Sequence, residues 1–215
     1  MQPIRSRQSA DVVALPKCTS SSFGELAARR RSARKFSANA LSIELLSNLL
    51  QETLGVTGRL GKSEEGVPGY PLFPYPSAGA LGALDVYLIV RHVAALAPGI
   101  YRFLPDTCCL ERVSELNTSV AAKALLDDST VDRSATTLVF VAVLRRLTHK
   151  YGIRSYRLAH LEAGHAAQNV VLHCTATGLS SFTSCAFHDR DMSALLCVDG
   201  LTEIPCYVVH FGNAA

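Results

Sequence analysis

The stretch Thr148-His149-Lys150-Tyr151-Gly152-Ile153-Arg154-Ser155-Tyr156-Arg157 joins two segments of opposite character, and the fold follows from this junction. Residues 137–144, just before it, are apolar and β-branched, which predicts a buried central strand. Residues 156–177, which begin within its last two residues, predict a long helix that ends at a glycine. Lys150 and Tyr151 bring an amine and a phenol to the junction, and general acid–base catalysis uses such groups. A solvated surface pair is the alternative interpretation.

The rest of the chain mixes helices and strands without regular alternation, which predicts an α+β fold. Further helices are predicted over residues 23–31, 43–54, 117–126 and 189–196, and further strands over residues 85–90, 99–104, 182–187 and 204–211. The second helix has Ser42 as its predicted N-cap and Gly55 at its end. Residues 55–82 are rich in glycine and proline and predict a long loop that is functional or mobile.

Composition limits the domain organisation and the class of partner. The chain has 215 residues, 48% of them hydrophobic, which predicts one domain over residues 23–215, preceded by a flexible arm over residues 1–22. A formal net charge of +3 with scattered cations argues against a nucleic-acid partner. The first residues lack the apolar centre of a secretory signal, and no apolar run is long enough to span a membrane.

Motifs exclude several common sites. The seven cysteines are odd in number and form no Cys-x-x-Cys pair, so neither a disulfide framework nor a zinc site is predicted, and a reducing cytoplasm fits best. His188-Asp189-Arg190-Asp191 opens a helix, where adjacent residues do not converge on a metal. P-loop, dinucleotide-binding and nucleophile-elbow motifs are missing from the sequence.

Two segments are candidates for ligand binding. Arg30-Arg31-Ser32-Ala33-Arg34-Lys35-Phe36 offers guanidinium forks and a hydroxyl that suit a phosphate monoester, or it is a basic helix end that complements the helix dipole. Pro76-Ser77-Ala78-Gly79 has small side chains that let the backbone approach a planar ligand closely, or it is an ordinary turn before a strand.

The long predicted helix carries a third candidate segment. Gly164 and the alanines around it permit tight helix packing between elements or between subunits. Gln168 and Asn169 place two amides in an otherwise apolar run, and buried amides need hydrogen-bond partners. They are therefore either members of a polar network or ligand contacts.

Taken in order, these segments resemble the nitroreductase-like FMN flavoprotein superfamily, and more narrowly its SagB/McbC-type branch of azoline oxidases. The resemblance covers about residues 23–213. The matching pieces are Arg30-Arg31-Ser32-x-Arg34-x-Phe36, Pro76-Ser77-Ala78-Gly79, Asp85-Val86-Tyr87, Gly99-Ile100-Tyr101, Lys150-Tyr151-x-x-Arg154-x-Tyr156-Arg157, Glu162-Ala163-Gly164-His165-x-x-Gln168-Asn169, Gly178-Leu179 and Asp199-Gly200.

The resemblance implies a nitroreductase-like fold, with a central antiparallel sheet wrapped by helices, and an intertwined homodimer that binds FMN at the subunit interface. It implies that Arg30, Ser32 and Arg34 contact the phosphate and ribityl chain, and that Ser77, Ala78 and Gly79 lie beside the isoalloxazine. It also implies that Gln168 and Asn169 lie near the cofactor and Ser184 and Cys185 against the flavin, with Arg31 and Pro76 as further cofactor-binding residues. The chain ends without the basic residue that many family members offer to the phosphate, and the arginine cluster is expected to compensate.

In the azoline-oxidase branch the Lys-Tyr motif is tied to catalysis, which corresponds to Lys150 and Tyr151 here. The implied reaction oxidises a thiazoline or oxazoline to a thiazole or oxazole, with a hydride passing to the flavin, a ring proton lost to Lys150 or Tyr151, and reoxidation by dioxygen. Since residues 1–22 are short for a peptide-binding domain, we expect an azoline-containing peptide delivered by a partner such as a cyclodehydratase, a carrier-tethered substrate, or a small free one.

Two other functions compete with this interpretation. An NAD(P)H-dependent nitroreductase or dehydrogenase would need no Lys-Tyr pair. A non-catalytic scaffold subunit of a biosynthetic complex would explain the missing C-terminal basic residue and the cysteine at position 185.

Overall fold

A computed structural model describes residues 13–17, 19–61, 69–126 and 128–215. Most of the predicted N-terminal arm lies outside these residues, so its flexibility stays a prediction. The helices are α1 (Ser22–Arg29), α2 (Ile43–Leu54), α3 (Thr118–Ala124), α4 (Ser129–Asp132), α5 (Arg145–Tyr151), α6 (Ser155–Thr177) and α7 (Asp189–Leu196). The strands are β1 (Gly58–Leu60), β2 (Tyr70–Leu72), β3 (Leu84–Val90), β4 (Gly99–Leu104), β5 (Cys109–Glu115), β6 (Thr136–Val143), β7 (Leu179–Ser184) and β8 (Glu203–Asn213).

A six-stranded sheet in the order β5-β4-β3-β6-β8-β7 forms the centre of the molecule. Every neighbouring pair of its strands is antiparallel. All eight residues of β6 are buried, because β6 lies between two strands and both its faces are covered. The predicted α+β class, the antiparallel sheet and the central position of residues 137–144 are therefore confirmed.

Two hydrophobic clusters pack on opposite faces of this sheet. Leu138 and Phe140 of β6 face the cluster formed with α2 and α6, whereas Val139 and Val141 face the cluster formed with α3 and α7. This alternation along β6 is the two-residue period of a strand. The sheet is thus a middle layer, and α6 lies along one face of it.

Local sequence signals fixed several helix ends. Ser42 accepts a hydrogen bond from the backbone N–H of Leu45 at 3.2 Å, as the predicted N-cap of α2. Gly178 ends α6 with a left-handed φ of 76°, which costs glycine little. The helix end at Arg29 leaves Arg30 at the C-cap, so the rest of the arginine cluster follows the helix instead of belonging to it.

Other boundaries were wrong or missed. Residues 55–82 are not loop throughout, because β1 and β2 pair as an antiparallel ribbon and Ala78–Ala80 forms a short 3₁₀ turn. The strand predicted over residues 182–187 is β7, which begins at Leu179. The short elements α4, α5 and β5 had no prediction.

Candidate active site

Lys150 and Tyr151 end α5, where the chain turns sharply toward α6. Side chains at adjacent positions of a regular helix diverge by about 100°, so they do not normally converge. Here α5 ends at Tyr151, with φ −118° and ψ −5°, and the chain leaves helical geometry at Gly152, which has a φ of 53°. Ser155 donates a hydrogen bond to the carbonyl of Gly152 at 2.6 Å and steadies the start of α6. The break allows both side chains to reach the same point.

That point is Gly79, in the 3₁₀ turn that precedes β3. A Cβ placed on Gly79 would lie 2.7 Å from Tyr151 Oη and 2.9 Å from Lys150 Nζ. The Lys150 ammonium is also 5.4 Å from the centroid of the Tyr151 ring. Gly79 has a φ of 64°, which disfavours a side chain in any case. Both proton-exchanging groups therefore end beside one stretch of bare backbone.

A buried carboxylate on α6 holds the segment that contains Gly79. Glu162 is 1% exposed, and its Oε2 accepts a hydrogen bond from Ser77 Oγ at 2.9 Å. Its Oε1 accepts one from the backbone N–H of Ala83, also at 2.9 Å. Burial raises the pKa of Glu162, whereas these hydrogen bonds, one from Ala78 N–H and the charge of Arg146 lower it. Ser77 accepts in turn from Gly82 N–H at 2.9 Å, so its side chain organises the turn.

Arg146 attaches the end of the same segment to α5. Its guanidinium donates to the carbonyls of Gly82 at 2.9 Å and Leu84 at 3.2 Å, and to Asp85 Oδ1 at 2.7 Å. Arg102 of β4 donates to the other Asp85 oxygen at 3.0 Å. The turn around Gly79 is therefore bound to both helices that flank it.

A second group of predicted residues lines a cavity of about 320 Å³ between α6 and β7. Arg30, Ser32 and Gln168 contribute polar side chains to it, and Phe182 forms part of its wall. A Cβ placed on Gly164, which also lines the cavity, would meet no described atom within 4 Å. A guanidinium beside hydroxyls suits a phosphate group, so this cavity can hold the anionic end of a ligand.

The cavity and the turn share α6 as their common wall. Glu162 and Gln168 are six positions apart, which corresponds to about 9 Å along a helix. A planar ring joined by a flexible chain to a phosphate can extend over such a distance. The structure therefore brings together, along one helix, an anion-binding cavity and a pair of proton-exchanging groups.

Other predicted site residues lie beside these two groups or take structural roles. Arg31 donates to the carbonyls of Ala28 and Arg30 at 2.7 and 2.8 Å, which closes the end of α1. The Arg34 guanidinium stacks on Phe182, 5.0 Å from the ring centroid, behind the cavity wall.

The other predicted cofactor contacts also differ in their surroundings. Asn169 donates to the carbonyl of Pro74 at 3.0 Å, so it is a member of a polar network. Pro76 is exposed, and Ala78 is half-buried in the 3₁₀ turn. Ser184 accepts from the N–H of Ala186 at 2.8 Å, and Cys185 is exposed just after β7.

The sequence interpretation assigned no role to Glu162 or Arg146. A lone carboxylate among the small residues of α6 was the available signal for Glu162, because a buried charge needs partners. Arg146 carried no local signal, since its partners lie 61 to 64 residues away.

The described residues contain neither a membrane-spanning helix nor a cluster of metal ligands. None of the helices in this part of the chain combines the length and the apolar character needed to cross a bilayer. Across the same residues, no three His, Cys, Asp or Glu side chains converge as potential metal ligands.

Comparisons with known proteins give a consistent family. The model of the nitroreductase family matches residues 27–213. MJ1384 of Methanocaldococcus jannaschii, a nitroreductase by name, is 30% identical over 202 residues, which cover 94% of this chain and 96% of that protein. The microcin B17-processing protein McbC of Escherichia coli is 30% identical over 152 residues, which cover 68% of this chain and only 56% of McbC.

Solved structures agree with this family. The E. coli microcin synthetase McbBCD complex with truncated pro-MccB17 bound contains a chain with a TM-score of 0.73 and 26% identity, covering 97% of this chain and 79% of its own length. A nitroreductase-type protein from Desulfovibrio desulfuricans, solved in complex with FMN, has a TM-score of 0.62 over 92% of this chain and 88% of its own, and at 14% identity it shows the fold alone. The chain therefore belongs to the nitroreductase family of oxidoreductases, within which it resembles the McbC-type branch.

Proposed function

We propose that this protein is an FMN-dependent oxidase that converts a thiazoline or oxazoline ring to a thiazole or oxazole in the biosynthesis of a peptide natural product. The observation that carries the proposal is the convergence of Lys150 and Tyr151 on the backbone of Gly79. The similarity to McbC, and to a complex that holds a microcin precursor, supports the same class of substrate.

The residues of the cavity fit FMN. Arg30 and Ser32 would donate hydrogen bonds to its phosphate, and Gln168 offers an amide to the chain or ring. The bare backbone at Gly79 and the open space at Gly164 leave room for a planar ring system. When bound, FMN would supply the redox chemistry: it would accept a hydride, that is a proton with two electrons, from the azoline, and two electrons and two protons would then pass to dioxygen.

The protein's own chemical task is to remove the remaining ring proton. Lys150 as a neutral amine, or Tyr151 as a phenolate, would accept this proton, and both groups end beside Gly79. The two ring hydrogens leave as a hydride and a proton, so the aromatic product forms with the flavin as the two-electron oxidant, and NAD(P)H is not consumed. The rigid turn around Gly79 keeps the accepting group in one position relative to the ring.

We also propose that the protein forms a homodimer. The described part of the chain buries none of the eight residues of α1, and Phe23 is 68% exposed there. Leu161, on the outer side of α6 beside Gly164, is 53% exposed. A second copy that packs on α1 and α6 would cover these apolar side chains and close the cavity over the cofactor.

We further propose that the protein acts in the cytoplasm, where it associates with the enzyme that forms the azoline. The six described cysteines are free, as a reducing compartment would keep them. An azoline on a peptide or a carrier protein would reach Gly79 from outside the dimer, and a cyclodehydratase partner would deliver it.

Variants of the two candidate catalytic residues test the proposal. Lys150→Ala and Tyr151→Phe should each retain FMN and lower the rate of anaerobic flavin reduction by a model thiazoline by about 100-fold or more. Tyr156→Phe is the matched control, because Tyr156 is an exposed tyrosine of the same segment and its hydroxyl has no role in the proposal. The proposal is wrong if both active-site variants reduce the flavin as fast as the wild type.

A reductase is the second candidate, favoured by the 94% coverage of this chain in the match to MJ1384. An NAD(P)H-dependent nitroreductase would have its flavin reduced rapidly by NAD(P)H, and replacement of Tyr151 would change that rate little. Mixing the FMN-loaded protein with NADH and NADPH in the absence of azoline separates the two functions.

A further inference from the structure

Two polar side chains on α6 point to the segment that contains Gly79. Glu162 and Asn169 are seven positions apart, which is close to two full turns, so they share one face of the helix about 10.5 Å apart. Glu162 is buried and Asn169 is half-buried. Polar groups on a packed face need partners, and both of these find them in residues 74–83.

Asn169 holds the beginning of this segment. Its side-chain N–H donates to the carbonyl of Pro74 at 3.0 Å. The flanking rings of Phe73 and Tyr75 stack in parallel, 5.2 Å between centroids, and Tyr75 is 5% exposed. The beginning of the segment is therefore fixed both by a hydrogen bond and by packing.

Glu162 holds the later part of the segment of residues 74–83. It accepts one hydrogen bond from Ser77 Oγ and one from the backbone N–H of Ala83. Its two oxygens therefore bind the segment at two points, one on each side of Gly79.

Gly79 lies between the two attachment points. It has no side chain of its own to fix it, and its backbone faces the ends of Lys150 and Tyr151 at the distances given above. Movement of residues 74–83 away from α6 would therefore change the space in which those two groups meet a substrate.

We propose that Glu162 and Asn169 act together as a clamp of positioning residues, which holds residues 74–83 against α6 and so fixes Gly79 beside Lys150 and Tyr151. Neither residue touches the reacting atoms in this account. The chemical consequence rests on the proposed function, but the clamp itself concerns this chain alone. Loss of the clamp should free the turn, and it should slow the proton-transfer step more than it weakens the binding of substrate or FMN.

Hydrogen–deuterium exchange of the FMN-loaded protein tests the clamp directly. Glu162→Gln keeps the shape but replaces two acceptor oxygens by one, and Asn169→Asp removes the donor to Pro74. Each variant should make the backbone amides of residues 74–83 exchange about 10-fold faster or more. Thr175→Val is the matched control, since it removes a hydrogen bond from Thr175 to Val171 elsewhere on α6 and should leave this exchange unchanged.

Steady-state kinetics with the model thiazoline provide the second readout. The clamp predicts that kcat falls about 10-fold or more in both variants, while KM and the affinity for FMN change less than about 3-fold. Asn169→Ala replaces Asn169→Asp if the added charge prevents folding. Wild-type exchange in the two clamp variants would overturn the clamp, whether or not the protein oxidises azolines. Faster exchange with an unchanged kcat, in a protein that does oxidise them, would overturn the positioning role.

Discussion

Gly79→Ala is the substitution whose effect the structure defines most closely. The added methyl group would lie 2.7 Å from Tyr151 Oη and 2.9 Å from Lys150 Nζ, and ordinary contacts of a Cβ begin at 3.4 Å. Either the two side-chain ends or the turn must therefore retreat by roughly 0.5–0.7 Å. The turn has little freedom to do so, because Glu162 and Arg146 hold it on both sides.

Two effects of Gly79→Ala are expected, and they differ in size. A left-handed φ of 64° costs a residue with a Cβ about 1–2 kcal/mol, which should appear as a loss of stability against urea. A misplacement approaching 1 Å in a catalytic group can lower a rate by about 100-fold, so kcat for azoline oxidation should fall by roughly 10- to 100-fold. FMN should remain bound, since Arg30 and Ser32, the proposed phosphate contacts, line a cavity to which the turn does not contribute.

Gly178→Ala is the matched control for backbone strain. Gly178 has a φ of 76°, and a Cβ on it would meet no described atom within 4 Å. This control should lose a similar amount of stability and keep its kcat. Equal kcat values for Gly79→Ala and Gly178→Ala would refute the assignment of Lys150 and Tyr151 to a site beside Gly79.

Two further predictions concern the cavity and the buried core. Arg30→Ala should weaken FMN binding by roughly 10- to 100-fold through loss of a charged hydrogen bond. Arg31→Ala should leave the affinity unchanged, because the Arg31 side chain is hydrogen-bonded at the end of α1. Fluorescence titration of FMN measures both affinities, and an equal loss in the two variants would contradict the role of Arg30. Burial lowers the pKa of His210 to about 3 from 6.5, so its contribution to stability is present above pH 6.5 and is lost as the pH falls toward 3. Between pH 7 and 5 the wild type should therefore lose about 2 kcal/mol more in its free energy of unfolding than His210→Gln, and parallel urea curves for the two proteins would contradict this burial.

The sequence predicted the long elements because their signals are local. α6 begins one residue earlier than predicted and ends where Gly178 can adopt a left-handed φ. The position of β6 in the sheet followed from its uninterrupted apolar, β-branched composition. The arginine cluster, the turn at Gly79 and the Lys-Tyr pair were also recognisable as short motifs.

The elements and contacts that the sequence did not predict depend on partners distant in the chain. β1 and β2 have three residues each and exist as strands because they pair with one another. Glu162 accepts hydrogen bonds from Ala83 and Ser77, which lie 79 and 85 positions earlier in the chain. The local sequence around Glu162 could therefore not indicate these partners. Asn169 donates to Pro74, 95 positions away, a partner that its local sequence could not indicate, and its contact with a cofactor stays a prediction.

The central claim is that an azoline ring can reduce the flavin of this protein directly. The FMN-loaded protein is mixed anaerobically with a model thiazoline, and the visible absorption of the flavin is followed. The account predicts bleaching without NAD(P)H, recovery of the absorption on admission of air, and one thiazole formed for each flavin reduced. Bound FMN that stays oxidised with the thiazoline and bleaches only with NAD(P)H would contradict it.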